Sequence, residues 1–264
     1  MNIRSVAVSL QGKGRENNED SYYADPGLGL LIVSDGMGGH KAGEVASAMT
    51  VKLIAEKISS RMTEYLRMAE TTLNMPGLNP EQIIREAIDY ANKEIYNSAQ
   101  ANKEQRNMGA TVTLAWAYND AVYFGHVGDS RAYFFGNGVR QVTRDHSVVG
   151  ELYRGGSITR EQARNHPSKH MLLRALGVEP VVKPDIFMLE WSPEDCLLIC
   201  SDGLHGSFDI EDVLDKIDVT KNKQEILDAL VKLAVDYGSR DDITGLLVWQ
   251  PTLESANSQG VLDI

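Results

Sequence analysis

Aspartates at the ends of apolar runs are the residues of this chain best suited to chemistry. Leu28 to His40 reads LGLLIVSDGMGGH, an apolar run that stops at Ser34-Asp35-Gly36, and Cys196 to Gly206, CLLICSDGLHG, repeats the ending at Ser201-Asp202-Gly203. Both runs are short, β-branched or leucine-rich and bounded by glycine, the pattern of a strand buried on both faces. Asp129 breaks a third strand-like segment, AVYFGHVGDSRAY from Ala121, and Asp241 and Asp242 precede a fourth, in SRDDITGLLVW from Ser239. An Asp-Gly after a strand is most often a turn, but two in matching contexts suggest a shared site. Carboxylates brought together repel one another and take up protons unless a cation intervenes. Oxygen-only donors suit a hard divalent ion, Mg²⁺ or Mn²⁺, better than zinc. Spacing leaves open whether Asp35, Asp129, Asp202 and Asp241 converge.

The frame that must position them is that of an ordinary globular chain. Its 264 residues, 42% of them hydrophobic, suit one large unit, read here as a single domain over residues 1–250. A net charge of −11 argues against a nucleic-acid partner, which calls for a clustered basic surface. An acidic enzyme acting on a phosphorylated substrate could draw its local positive charge from metal ions. Cys196 and Cys200 stand about 13 Å apart if they share a strand, too far to bridge, and read as core residues of a reduced protein. No window approaches the roughly 18 apolar residues of a membrane span, so a cytoplasmic protein is expected.

Along the chain, Ile3 to Leu10 reads as a first strand, Gly12 to Asp20 as a loop, and Tyr22-Tyr23 as the opening of a second strand. Val51, Ile54, Ala55, Ile58 and Met62 line one stripe of a helix over Glu44 to Met62. Asn79 and Pro80 supply a cap and first position for a second helix, running to about Gln100 with Ile84, Ala87, Ile88, Ala91 and Ile95 inward. Ala110 to Ala117, Ala121 to Phe135 and Val139 to Thr143 read as a meander of three strands. From Asp145 to Arg174 the pattern weakens into short helical pieces, with a capping box at Thr159 and Gln162, and reads as a mobile flap beside a site. Phe187 to Trp191 and Leu197 to Cys200 follow as strands. Ile226, Leu230, Leu233 and Tyr237 mark a last helix ended by Gly238, and Ile243 to Trp249 the closing strand. Pro251 to Ile264 lacks periodicity and is expected to have no fixed structure.

Taken in order, Arg15-Glu16-Asn17-Asn18-Glu19-Asp20, Asp35-Gly36-Met37-Gly38-Gly39-His40, Gly109-Ala110-Thr111, Val127-Gly128-Asp129-Ser130-Arg131, Ser201-Asp202-Gly203-Leu204 and Asp241-Asp242-Ile243-Thr244 resemble the motifs of the metal-dependent serine/threonine protein phosphatases of the 2C type, bacterial branch. The similarity covers about residues 4 to 249. It implies an α+β fold, a four-layer α-β-β-α sandwich of two mostly antiparallel sheets flanked by helix pairs. It also implies a manganese or magnesium centre of two ions, with a third as in bacterial relatives.

By matching position, Asp35 would bridge two ions, with the Gly36 carbonyl on one and Asp202 and Asp241 on the other. Asp129 with Asp202 would hold the third, Glu19 and Asp20 would bind the metals' waters, and Arg15 would clamp phosphate. The reaction so implied is hydrolysis of phosphoserine and phosphothreonine in proteins by a hydroxide held between two metals, opposing a serine/threonine kinase, in a chain acting as a monomer.

Two departures from that pattern bear on the chemistry. Many eukaryotic members place a histidine after the Asp-Gly where this chain has Met37, which leaves His40 and a metal-bound water as alternative general acids. The usual Asp-Asn before Ile-Thr is Asp241-Asp242 here, and Asp241 is the favoured ligand. His146, His166 and His170 fall in the flap and read as flap structure or substrate contacts. A second reading is a weakly catalytic regulator that binds phosphoproteins, which ought to lack ligands, yet every expected acidic position is filled. A two-metal nuclease conflicts with the acidic balance.

Overall fold

The computed structural model describes residues 2–38, 42–71 and 77–251. His40 and residues 252–264 of the expected tail lie outside the described residues.

In chain order the elements are β1 (Arg4–Leu10), β2 (Asp20–Asp25), β3 (Leu30–Met37), α1 (Ala42–Ala69), α2 (Pro80–Ala101), β4 (Gly109–Ala110), β5 (Val112–Tyr118), β6 (Ala121–Val127), β7 (Arg131–Gly136) and β8 (Gly138–Gln141). Then come α3 (Val148–Arg154), α4 (Arg160–Arg164), β9 (Asp185–Glu190), β10 (Cys196–Cys200), α5 (Asp202–His205), α6 (Ile210–Leu214), α7 (Lys223–Asp236) and β11 (Ile243–Trp249). One sheet runs β1-β11-β10-β7-β8 and the other β2-β3-β5-β6-β9, with the short β4 paired to β3; every pairing is antiparallel.

Alternation along the strands makes this a four-layer sandwich. In β3, Leu31 and Val33 point between the sheets, where they meet Ala132, Phe134, Leu197, Ile199, Leu246 and Val248. Leu30 and Ile32 point the other way, onto α1 and α2. In β10 the same rule sends Leu197 and Ile199 between the sheets and Cys196, Leu198 and Cys200 toward α5, α6 and α7. Both runs that end in Ser-Asp-Gly are therefore buried on both faces, as their composition requires. Cys196 and Cys200 are free and buried in the core.

The inward residues expected of α2, Ile84, Ala87, Ile88, Ala91 and Ile95, are fully buried. Asn79 caps the helix by accepting from the Gln82 N–H at 3.1 Å, with Pro80 in the first turn. On the opposite face the layer consists of α7 with the short α5 and α6 rather than a matched pair of long helices.

The meander is corrected by the structure. Ala121 to Phe135 forms two strands in different sheets, β6 in one and β7 in the other, and β8 pairs with β7. The break is Gly128-Asp129-Ser130, where Gly128 takes φ +111°, a left-handed conformation that disfavours side chains. That crossover carries Asp129 to the sheet ends where the other aspartates stand.

Just before the crossover, His126 of β6 is fully buried, its Nδ1 2.9 Å from Thr113 Oγ1 and its Nε2 3.1 Å from the Arg144 carbonyl. The Arg144 carbonyl can only accept, so a neutral ring carries its proton on Nε2. Burial, reinforced by neighbouring His146, pushes its pKa from 6.5 down to about 4. The stability this neutral ring contributes is present above pH 6.5 and is lost as pH falls toward 4, an effect on the order of 3 kcal/mol. Urea unfolding of the natural chain at pH 7.5 and pH 4.5 is expected to show a larger acid-induced loss than the His126→Gln variant shows. Equal losses would contradict a buried neutral His126.

Candidate metal centre

β2 and β3 pair so that Asp20 lies opposite Asp35. From the other sheet, Asp202 follows β10 as the first residue of α5, and Asp241 stands two residues before β11, the neighbour of β10. Serine and threonine side chains stitch these ends together. Ser201 Oγ donates to Asp20 Oδ2 at 2.7 Å and accepts from the Thr244 N–H at 3.0 Å, tying the two sheets to each other. The Thr111 N–H donates to the Asp35 carbonyl at 2.8 Å, while Thr111 Oγ1 accepts from the Asp35 N–H at 2.9 Å and lies 2.7 Å from Ser130 Oγ.

The glycines have a related reason. A Cβ on Gly36 would collide with the Gly43 carbonyl, and one on Gly203 with the Asp242 carbonyl. In each repeat, then, the serine bonds a neighbouring segment, the aspartate enters the site and the glycine lets another stretch of backbone pass.

The electrostatics show that the aspartates face one another. The Asp35 carboxyl is held well above the usual range by burial first, then by the charges of Asp20, Asp202, Asp129 and Asp241. Burial likewise raises Asp20 well above the usual range, with Asp202 and Asp242 adding to the effect against hydrogen bonds from Ser201 and Thr244. Asp129 is raised by burial, then by Asp202 and Asp145; Asp202 is raised by burial, then by Asp241. Among the described residues, two buried carboxylate oxygens, Asp20 Oδ1 and Asp202 Oδ1, have no hydrogen-bond partner.

Buried acceptors without donors are costly, and a group of mutually repelling oxygens fits a divalent cation. The side chains face one another without closing into a shell: among the described residues, no three His, Cys, Asp or Glu side chains are drawn together in the geometry of a metal site. The Arg15 guanidinium pairs with Asp241 at the edge of this group.

The two adjacent aspartates before β11 differ in what they hold. Asp242 is 1% exposed and accepts from the Gly12 N–H at 2.7 Å, the Glu19 N–H at 2.8 Å and Arg15 at 3.3 Å. Its oxygens are committed to the Gly12 to Glu19 loop. Asp241 is 27% exposed and lines the groove beside the site; its Oδ1 pairs with Arg15 and accepts from the Asp242 N–H at 2.8 Å, which leaves Oδ2 as the oxygen of the pair that faces a ligand. Arg15 also reaches Glu19 at 3.1 Å and remains a third exposed at the groove mouth. Glu19 is pushed up by burial, a rise that Arg15 opposes.

Asp129 is backed by a second buried layer. His205 Nε2 lies 3.1 Å from the Asp129 carbonyl, and burial, then the Arg131 charge, push that ring to about 3, so it is neutral. Arg131 grips Asp145 with two nitrogens, at 2.9 and 2.7 Å. Burial alone would raise Asp145, but this fork holds it below the usual carboxylate range. His146 is buried, and its Nδ1 accepts from the Gly128 N–H at 3.2 Å; Asp185 lies 3.2 Å from its other nitrogen. His166 Nδ1 accepts from the Ser168 N–H at 3.1 Å, a local turn contact. His170 is 67% exposed, 3.9 Å from Asp202 Oδ2.

Ser201, Thr111 and Asp242 lie within the motif segments, but nothing in the sequence marks them as supports of the aspartates, and His205, three residues after Asp202, carries no signal at all. From the centre a groove of about 710 Å³ runs between the segment bearing α3 and α4 and the segment bearing α5 and α6.

With this geometry in view, the comparisons with known proteins are specific. The family model described as Protein phosphatase 2C matches residues 13–234. The serine/threonine phosphatase stp of Listeria monocytogenes is 38% identical over 242 residues, covering 90% of this chain and 92% of that protein. The crystal structure of serine/threonine phosphatase Stp1 from Staphylococcus aureus superposes with a TM-score of 0.79 at 33% identity, covering 95% of this chain and 96% of that one. The catalytic domain of serine/threonine protein phosphatase PstP, solved in complex with two manganese ions, does so with a TM-score of 0.77 at 30% identity, covering 93% and 97%.

Proposed function

The chain belongs to the protein phosphatase 2C family, and from that membership we propose that Asp35, Asp202, Asp241, Asp20 and the Gly36 carbonyl hold the two divalent ions of its phosphatase centre, with Asp129 and Asp202 offering a third place. It is a metal-dependent protein serine/threonine phosphatase. The observation that carries the site assignment is the pair of buried oxygens of Asp20 and Asp202 that find no partner among the described residues, within a group of mutually repelling carboxylates. Bound there, manganese or magnesium supplies the Lewis-acid charge that makes water nucleophilic near neutral pH and offsets charge on the phosphoryl oxygens.

The chain's own residues do the rest. Ser201 and Thr111 fix the aspartate-bearing ends, Asp242 holds the Gly12 to Glu19 loop, and that loop sets Arg15 at the mouth of the groove. A planar guanidinium there can take two phosphoryl oxygens at once. Buried His205 donates from Nε2 to the Asp129 carbonyl and supports that stretch of backbone. The alternative of a regulator that binds without turnover is not favoured, because the relatives are named as phosphatases and the acidic positions are filled.

The same reading takes residues 1–250 as one phosphatase unit, residues 145–174 as a flap over the groove and a serine/threonine kinase as the enzyme opposed. It places a monomer in cytoplasmic signalling. Among the described residues no helix is long and apolar enough to cross a membrane.

Hydrolysis of a phosphothreonine peptide is expected to require Mn²⁺ or Mg²⁺, to stop on chelation and to return when the ion is restored. Arg15→Ala is expected to lower kcat/KM by about 10²-fold with the metal requirement unchanged. Chelator-resistant turnover would contradict the reaction, and an unaltered Arg15→Ala enzyme would contradict the clamp.

A further inference from the structure

The groove beside the acidic centre carries more arginine and lysine than acidic side chains, although the chain as a whole has a net charge of −11. Arg160 and Arg164 stand one turn apart on α4 and close from the same side on one carboxylate, Asp209. Arg160 reaches Asp209 Oδ1 at 3.0 Å and Arg164 reaches Oδ2 at 3.1 Å, so each oxygen has its own guanidinium. Arg160 also reaches Glu211 at 3.3 Å and lies over the Tyr153 ring. Two guanidiniums sharing one oxyanion make a recognition geometry for carboxylate or phosphate.

Asp209 is where an exchangeable occupant would be expected. It stands at the N-cap of α6, a position whose aspartate ordinarily accepts from the first turn, yet its side chain makes no cap hydrogen bond and turns to the arginines instead. Released from them, it has the helix start beside it as a second partner. Exchange with another anion would therefore not strand a carboxylate. The groove that Arg160 and Arg164 line continues to Arg15, Asp202 and Asp241 at the centre, so one peptide can reach both ends.

Building on the phosphatase reading, we propose that Arg160 and Arg164 form a subsite for an anionic side chain of the substrate, one that displaces Asp209, so that the enzyme prefers phosphoproteins with acidic or further phosphorylated residues near the target. Such an excess of cations is what an otherwise acidic protein needs to hold an acidic peptide.

The test compares phosphothreonine peptides with neutral, glutamate and phosphoserine flanks, alongside p-nitrophenyl phosphate, under saturating Mn²⁺. The natural chain is expected to show a KM up to about tenfold lower for the anionic flanks, a preference that shrinks as salt rises. In the double variant Arg160→Gln, Arg164→Gln the preference is expected to vanish with p-nitrophenyl phosphate turnover unchanged. Asp209→Asn is expected to lower KM for the anionic peptides a few-fold and to leave the neutral peptide alone. A gain with glutamate flanks identifies a carboxylate ligand; a gain confined to the phosphoserine flank identifies phosphate at the same subsite. Equal KM values across flanks, or a preference that survives the double variant, overturn the subsite while leaving the phosphatase reading intact. No turnover of any ester, p-nitrophenyl phosphate included, overturns the phosphatase reading and the subsite with it.

Discussion

Asp35→Asn is expected to lower kcat/KM for a phosphothreonine peptide by at least about 10³-fold at saturating Mn²⁺. Asp35 is the residue on which the other charges converge: Asp20, Asp202, Asp129 and Asp241 all act on its carboxyl. An amide there keeps the shape and loses the anion. The Thr111 bonds to the Asp35 main chain remain, so the strand end keeps its place. A merely damaged fold is distinguished by unfolding. The folded-state pKa of Asp35 is raised, so its charged form disfavours the metal-free fold, a cost that grows as pH rises through that pKa. The metal-free Asp35→Asn chain is therefore expected to be at least as resistant to urea as the natural chain at pH 7.5. Retained activity, or lost activity together with lost stability, would contradict a charge-based role.

Asp242→Ala carries the second large effect, of a different kind. Its carboxylate is buried and serves the Gly12 and Glu19 N–H groups and the Arg15 guanidinium at once. Truncation leaves two main-chain donors and part of a charge without partners, a loss of about 2–4 kcal/mol. The loop that positions Arg15 and Glu19 loosens with it, and kcat/KM is expected to fall about 10²-fold. Urea unfolding and peptide kinetics on the same variant check both. Asn keeps one acceptor oxygen, so Asp242→Asn should fall between. A stability change under about 0.5 kcal/mol would contradict the anchoring role.

Much of the frame was legible because burial on two faces leaves a plain mark. The runs through Leu31 and Leu198 are apolar at every position, since alternate residues face a second sheet and a helical layer. The stripes of α1 and α2 were equally plain, since a helix covering a sheet repeats its apolar residues by turn. The switch of sheets at Gly128-Asp129-Ser130 was not legible, because β6 and β7 are apolar alike and nothing local says which partner each will find. The preference for Asp241 over Asp242 rested on the family pattern, whereas the structure supplies a physical ground, the commitment of Asp242 to a loop some 230 residues earlier. The meeting of Arg160 and Arg164 with Asp209 was hidden for the same reason, as it joins segments 45 and 49 residues apart.

The most direct test of the centre is the anomalous scattering of manganese in crystals of the natural chain grown with Mn²⁺. Two strong peaks are expected between Asp35, Asp202 and Asp241, with Asp20 nearby and a weaker third toward Asp129, and the pair should be lost in Asp35→Asn. Peaks elsewhere, or the same pair undisturbed by Asp35→Asn, would contradict the assignment of these aspartates as the metal centre.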